Sequence, residues 1–220
     1  HLSFCRSAWF FVGIPGIVGL LCTGCVKVEQ TVDTAASSSS SSPTGSAGCG
    51  LGVEGVATSL EVEGETRTFE LVVPDTYDWD NPYPLVFAWH GSGGTGQGAE
   101  NYFGLTEAVG EDAIVVYPDG LVVEGGQTGW DLNPEGEDVQ FFDAIRTHLL
   151  DNMCVDEDRI FVTGHSYGGY MSNFLGCKRP DSLSAVAPVA GGLTSYLCDE
   201  GVGVWLAHGT YDTTVLPSEG

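Results

Sequence analysis

Ile160-Phe161-Val162-Thr163-Gly164-His165-Ser166-Tyr167-Gly168-Gly169-Tyr170-Met171 is the stretch on which the reading of this chain turns. An apolar, β-branched run stops at Gly164, and an apolar-periodic segment starts just after Ser166. A strand that turns at once into a helix fits that order. Gly164 and Gly168 flank the serine, as a corner too tight for a Cβ requires, and such a corner strains the residue at its tip. The Ser166 hydroxyl would then stand clear of the sheet edge, at the positive end of a helix. The plainer alternative is a Gly-rich turn whose serine only caps the helix. Strand and helix on the correct sides of the serine favour a nucleophile.

Outward from this corner, hydrophobic periodicity predicts strands at 66–73, 85–89, 114–117, 160–163, 185–189 and 202–207. Helices are expected at 101–109, 138–153 and 167–177. Strands alternating with helices imply an α/β fold, with a mostly parallel sheet and helices on both faces. Chemistry in such sheets gathers at the carboxyl ends of the strands.

Two further loops at those ends carry polar groups. His90-Gly91-Ser92-Gly93-Gly94-Thr95-Gly96 follows the strand at 85–89, and its glycines let backbone N–H groups face a ligand oxygen, as an oxyanion hole needs. One donor is assigned to the N–H of Ser92 and the other to that of Tyr167. A phosphate cradle is the rival, but the loop lacks a GKT or GKS ending. His208-Gly209-Thr210-Tyr211-Asp212 follows the last strand, and Asp212 is the candidate acid of a triad ordered Ser, Asp, His. Its alternative is an ordinary surface aspartate. The histidines are His1, His90, His148, His165 and His208, and none follows Asp212. A serine without a base is a poor nucleophile. The expectation is therefore a fold incomplete at its C-terminus, whose continuation past Gly220 carries the catalytic histidine. The 220 residues alone should be nearly inactive. His165, beside the serine, is read as a packed residue.

With seven Lys and Arg against thirty Asp and Glu, the net charge of −23 argues against nucleic acid and anionic lipid surfaces as partners. The hydrophobic fraction of 42% suffices for a sizeable core. Residues 8–21 form a short apolar run after Arg6, read as part of an export signal covering 1–25. His1 in place of an initiator methionine suggests a start inside a reading frame or a misassigned start. Cys22-Thr23-Gly24-Cys25 resembles a bacterial lipoprotein box, with Cys25 as a candidate lipid anchor and Cys22 where a leucine belongs. A Ser-rich tether occupies 26–48, and the folded domain is expected over 49–220. The location implied is extracellular or cell-surface.

Several blocks identify a relationship: Tyr117-Pro118-Asp119-Gly120, Thr128-Gly129-Trp130, Glu137-Asp138-Val139-Gln140-Phe141-Phe142-Asp143-Ala144, the elbow with Asp158-Arg159 before it, and Ala187-Pro188-Val189-Ala190-Gly191-Gly192. Together they resemble the secreted esterase family of polyhydroxybutyrate depolymerases and feruloyl esterases. The resemblance runs from about Cys49 to Gly220. It implies an α/β-hydrolase fold, a carboxylic ester substrate, no cofactor, Ser166 as nucleophile and Asp212 as acid. The substrate is expected to be polymer-linked, with feruloyl or acetyl esters of plant cell-wall polysaccharide favoured over polyhydroxybutyrate, and the protein to act as a monomer. The start Ser46-Ala47-Gly48-Cys49-Gly50 looks more like the feruloyl side. A serine peptidase and a non-catalytic carbohydrate-binding surface protein are the rivals on the same scaffold. Trp130 is a candidate for the acyl pocket, with a buried structural role as its alternative.

Past the export segment, Cys49, Cys154, Cys177 and Cys198 suggest two disulfides with three connectivities. Cys154 precedes a strand and Cys177 ends the helix antiparallel to it. That geometry favours Cys154–Cys177, with Cys49–Cys198 by elimination. Metal binding is the alternative, though no Cys-x-x-Cys pair lies past Cys25.

Overall fold

The computed structural model describes residues 45–193, 198 and 201–219. The expected export run, Cys25 and the tether up to residue 44 lie outside them. In chain order the strands are β1 (Ser59–Val62), β2 (Glu65–Val72), β3 (Tyr83–Trp89), β4 (Ile114–Pro118), β5 (Leu121–Val122), β6 (Thr128–Gly129), β7 (Val155–His165), β8 (Ala185–Val189) and β9 (Gly203–Val204). The helices are α1 (Gly96–Phe103), α2 (Leu105–Val109), α3 (Glu137–Asn152) and α4 (Tyr167–Lys178).

Seven strands form one sheet in the order β1-β2-β4-β3-β7-β8-β9, and β5 pairs with β6 in a separate hairpin. The run from β4 through β3, β7 and β8 to β9 is parallel, while β1 and β2 add antiparallel at one edge. Alternation sorts the central side chains onto two faces. Leu85, Phe87 and Trp89 of β3 join Ile114 and Val116 of β4 in a core with Phe142 and Ile145 of α3 and Phe174 of α4. Their neighbours Ala88, Val115 and Tyr117 pack on the other face with Ala99 of α1, beside Val86, Phe103 and Leu105. Helices thus cover both faces of a mostly parallel sheet, as expected of an α/β-hydrolase.

Several elements differ from expectation: β1 and the β5–β6 hairpin were not anticipated, and β7 runs over Val155–His165 where a strand at 160–163 was expected. A helix anticipated at 101–109 starts at Gly96, because Thr95 caps its first turn by accepting the N–H of Gly98 at 3.0 Å. It breaks at Gly104, whose φ of 62° only glycine adopts readily. The last strand is assigned over Gly203–Val204 alone; Trp205 and Ala207 still donate to Val186 and Pro188 at 2.9 and 3.1 Å.

The disulfides also correct the reading. Cys49 pairs with Cys154, and Cys177 with Cys198, in place of Cys154–Cys177 and Cys49–Cys198. Hydrogen bonds between the segment 45–50 and the α3–β7 junction explain the first. Ser46 N donates to Val155 O at 2.9 Å, Ser46 Oγ donates to Met153 O at 2.6 Å, and Gly48 N donates to Leu150 O at 2.8 Å. These bonds lay Cys49 against Cys154 and leave Cys177, at the end of α4, to the chain beyond β8. Among the described residues no helix is long and apolar enough to cross a membrane, and no group of three His, Cys, Asp or Glu is placed to hold a metal.

Candidate active site

Ser166 sits where β7 ends and α4 begins, with φ 56° and ψ −119°, a conformation an L-residue holds only under strain. Its own N–H is tied to Val189 O at 3.0 Å, and its carbonyl accepts the N–H of Tyr170 at 3.0 Å. The side chain is half-buried. Crowding explains both flanking glycines. A Cβ on Gly164 would lie 2.8 Å from Trp89 O, and one on Gly168 would lie 2.7 Å from His90 O and collide with Trp89 O. Gly169 closes on Gly191, where a Cβ would meet that Cα at 2.8 Å.

The same closeness brings the glycine loop after β3 to the serine. A Cβ built on Gly91 would stand 3.3 Å from His165 O and 3.5 Å from Ser166 Cβ. Ser92 follows, exposed, its Oγ donating to Gln127 Oε1 at 3.1 Å. The β5–β6 hairpin fastens this loop from outside: Gly93 N donates to Thr128 O at 2.8 Å, and Thr128 Oγ1 donates to Gly94 O at 2.6 Å. The ring of Tyr167 lies over Gly129 of the hairpin, so that a Cβ there would meet it at 2.6 Å. Sequence reasoning missed the hairpin. Its only local signal is Gly125-Gly126, whose φ values of 101° and 81° make the turn.

Trp130 is not an acyl-pocket residue. It is fully buried, edge-on to Trp89 at 4.7 Å, and its Nε1 donates to His90 O at 2.8 Å. Its ring also packs on the His90 imidazole at 4.4 Å. His90 is 2% exposed, and burial pushes its imidazole below the ordinary value, with the Gly91 carbonyl, Asp119 and Asp138 pulling the other way. Behind it, buried Arg67 donates to Asp138 Oδ1 at 2.6 Å and to Asp119 O at 3.1 Å. Burial raises the Asp138 carboxyl, and Arg67 opposes that rise.

Asp212 lies in the loop after β9. It accepts the N–H groups of Thr214 and Val215 at 2.9 and 3.0 Å, which hold its carboxyl below the usual range; His208 and His165 add smaller electrostatic contributions in the same direction. His208 Nε2 donates to Val215 O at 2.8 Å and stands 3.7 Å from Asp212 Oδ2. His148 is on α3 beside Asn152, and the ring of His165 packs against Tyr102 at 5.6 Å. Glu219 lies near the elbow, where Tyr170 donates to it at 2.6 Å; that bond pushes the phenol up to about 12.

A family model described as the prolyl oligopeptidase family matches residues 127–212, spanning the serine corner and ending on Asp212. Feruloyl esterase D of Neurospora crassa is 36% identical over 184 residues, covering 76% of this chain and 61% of its own. A probable feruloyl esterase C of Aspergillus clavatus is 35% identical over 196 residues, covering 85% of this chain and 68% of its own. The chain belongs to the feruloyl esterase family. It spans about three fifths of the length of the first curated relatives it matches, 61% and 57%. Among solved structures, a thermostable esterase superposes with a TM-score of 0.58 at 25% identity, over 73% of this chain and 48% of its own. Within this family's α/β-hydrolase fold, the strained serine, the glycine loop and Asp212 all stand at carboxyl ends of parallel strands.

Proposed function

We propose that this protein hydrolyses carboxylic esters carried on plant cell-wall polysaccharide, feruloyl esters foremost, through an acyl-enzyme on Ser166. The strained φ of 56° at Ser166, with Gly91 packed against it, carries the reading. Ser166 Oγ attacks the ester carbonyl, and its proton passes to a general base that Asp212 orients. Both ring nitrogens of His90 are taken by backbone partners, and His208 Nε2 is held by Val215 O. The N–H groups of Ser92 and Tyr167 take up the oxyanion, the alcohol leaves with the proton, and water then releases the acid. Relatives named feruloyl esterases support the acyl class, and two disulfides fit an oxidising, extracellular location.

Ser166→Ala in the full-length protein should lower kcat for p-nitrophenyl acetate by at least about 10⁴-fold without unfolding. Retained turnover removes the assignment. Methyl ferulate and polyhydroxybutyrate offered side by side should be cleaved in favour of the ferulate.

A further inference from the structure

We propose that His90 is a positioning residue for the oxyanion hole, locking the Gly91–Ser92 peptide so that the Ser92 N–H faces the reacting carbonyl. The proposal rests on the esterase reading above and deepens it. His90 Nδ1 lies 2.7 Å from Gly91 O, a carbonyl that can only accept, so Nδ1 carries the proton. His90 Nε2 lies 2.9 Å from Gly120 N, an amide that can only donate, so Nε2 is bare. These two bonds fix a single neutral tautomer without any assumption about solvent.

Gly91 O belongs to the same peptide as the N–H of Ser92, and across a trans peptide the two point in opposite directions. A carbonyl held toward the His90 ring therefore turns that N–H to the other side. Gly94 N, at 3.0 Å, is the second donor holding the carbonyl. A flipped peptide would break both bonds and present an oxygen to the developing oxyanion.

The imidazole is in turn gripped from every side. Trp130 Nε1 holds the His90 carbonyl, and the Trp130 ring packs on the imidazole. Gly120 is held in register by Asp119, whose carbonyl accepts from Arg67 and whose carboxylate accepts from Gly96 N at 2.7 Å and Thr68 Oγ1 at 2.8 Å. The charged groups that bear on the ring are Asp119 and Asp138, the latter paired with Arg67. Asp138 also accepts the N–H of Asp131, next to Trp130, at 2.5 Å.

Steady-state turnover of p-nitrophenyl acetate by the full-length protein tests this, with a fluorophosphonate probe reporting on Ser166. His90→Leu removes both ring bonds and should lower kcat about 10²–10³-fold, the usual cost of one oxyanion donor, with KM within about threefold. His90→Asn keeps an N–H donor at the Nδ1 position and should recover at least about tenfold of the loss; His90→Gln, which reaches toward Gly120 instead, should not. If His90→Leu does not fold, the Asn and Gln variants alone decide. Equal kcat in those two, or a loss carried wholly by KM, overturns the lock. A wild-type protein that neither labels nor turns over overturns the esterase reading instead.

Discussion

At Gly168 a methyl group would collide with Trp89 O and sit 2.7 Å from His90 O, so the last peptide of β3 and the first turn of α4 fit only because that hydrogen is small. Neither neighbour can yield without moving the glycine loop away from Ser166. Gly168→Ala should therefore cost about 1–3 kcal/mol in urea unfolding and lower kcat for p-nitrophenyl acetate by more than the stability loss explains. Wild-type values for both would mean the corner is looser than its packing implies. The serine corner was legible residue by residue, because a strained turn between backbones leaves glycine few substitutes. Trp130 was not legible: a tryptophan beside a glycine loop looks the same whether it lines a pocket or bonds the His90 carbonyl. His90 was likewise opaque, since its function lies in a tautomer fixed by Gly120, an element away.

Among elements, those with strong periodicity appeared where the sequence placed them, β3, β4, β8 and α4 closely so. The β5–β6 hairpin, two residues a strand, has too little pattern to announce itself and is held by bonds to the glycine loop. The cysteine pairing failed for a related reason. Strand and helix direction place Cys154 and Cys177 correctly on their elements, but nothing in residues 45–50 advertises their hydrogen bonds to the start of β7. Cys154→Ser, opening a crosslink across 105 residues, should cost about 2–5 kcal/mol of stability while turnover at low temperature stays near wild type. An unchanged unfolding midpoint in denaturant would show that those hydrogen bonds suffice without the bridge.

For the whole molecule, the mostly parallel sheet and the helices on both faces were legible from the alternation of strands and helices, whereas the strand order and the antiparallel edge of β1 and β2 were not. Charge adds a property the fold does not set. A net −23 spread over 220 residues repels itself, and screening relieves that repulsion. Raising sodium chloride from about 0.01 to 0.5 M should lift Tm by roughly a few degrees; a fall would indicate that ion pairs such as Arg67–Asp138 and Arg179–Asp143 outweigh it. The hairpin carries one more consequence. Its fastenings to the glycine loop run through Gln127 and Thr128, behind the turn at Glu124-Gly125-Gly126. The tip can therefore vary in length and side chains while the anchoring rungs stay put, so insertions there should leave the loop packed against Ser166 where it is.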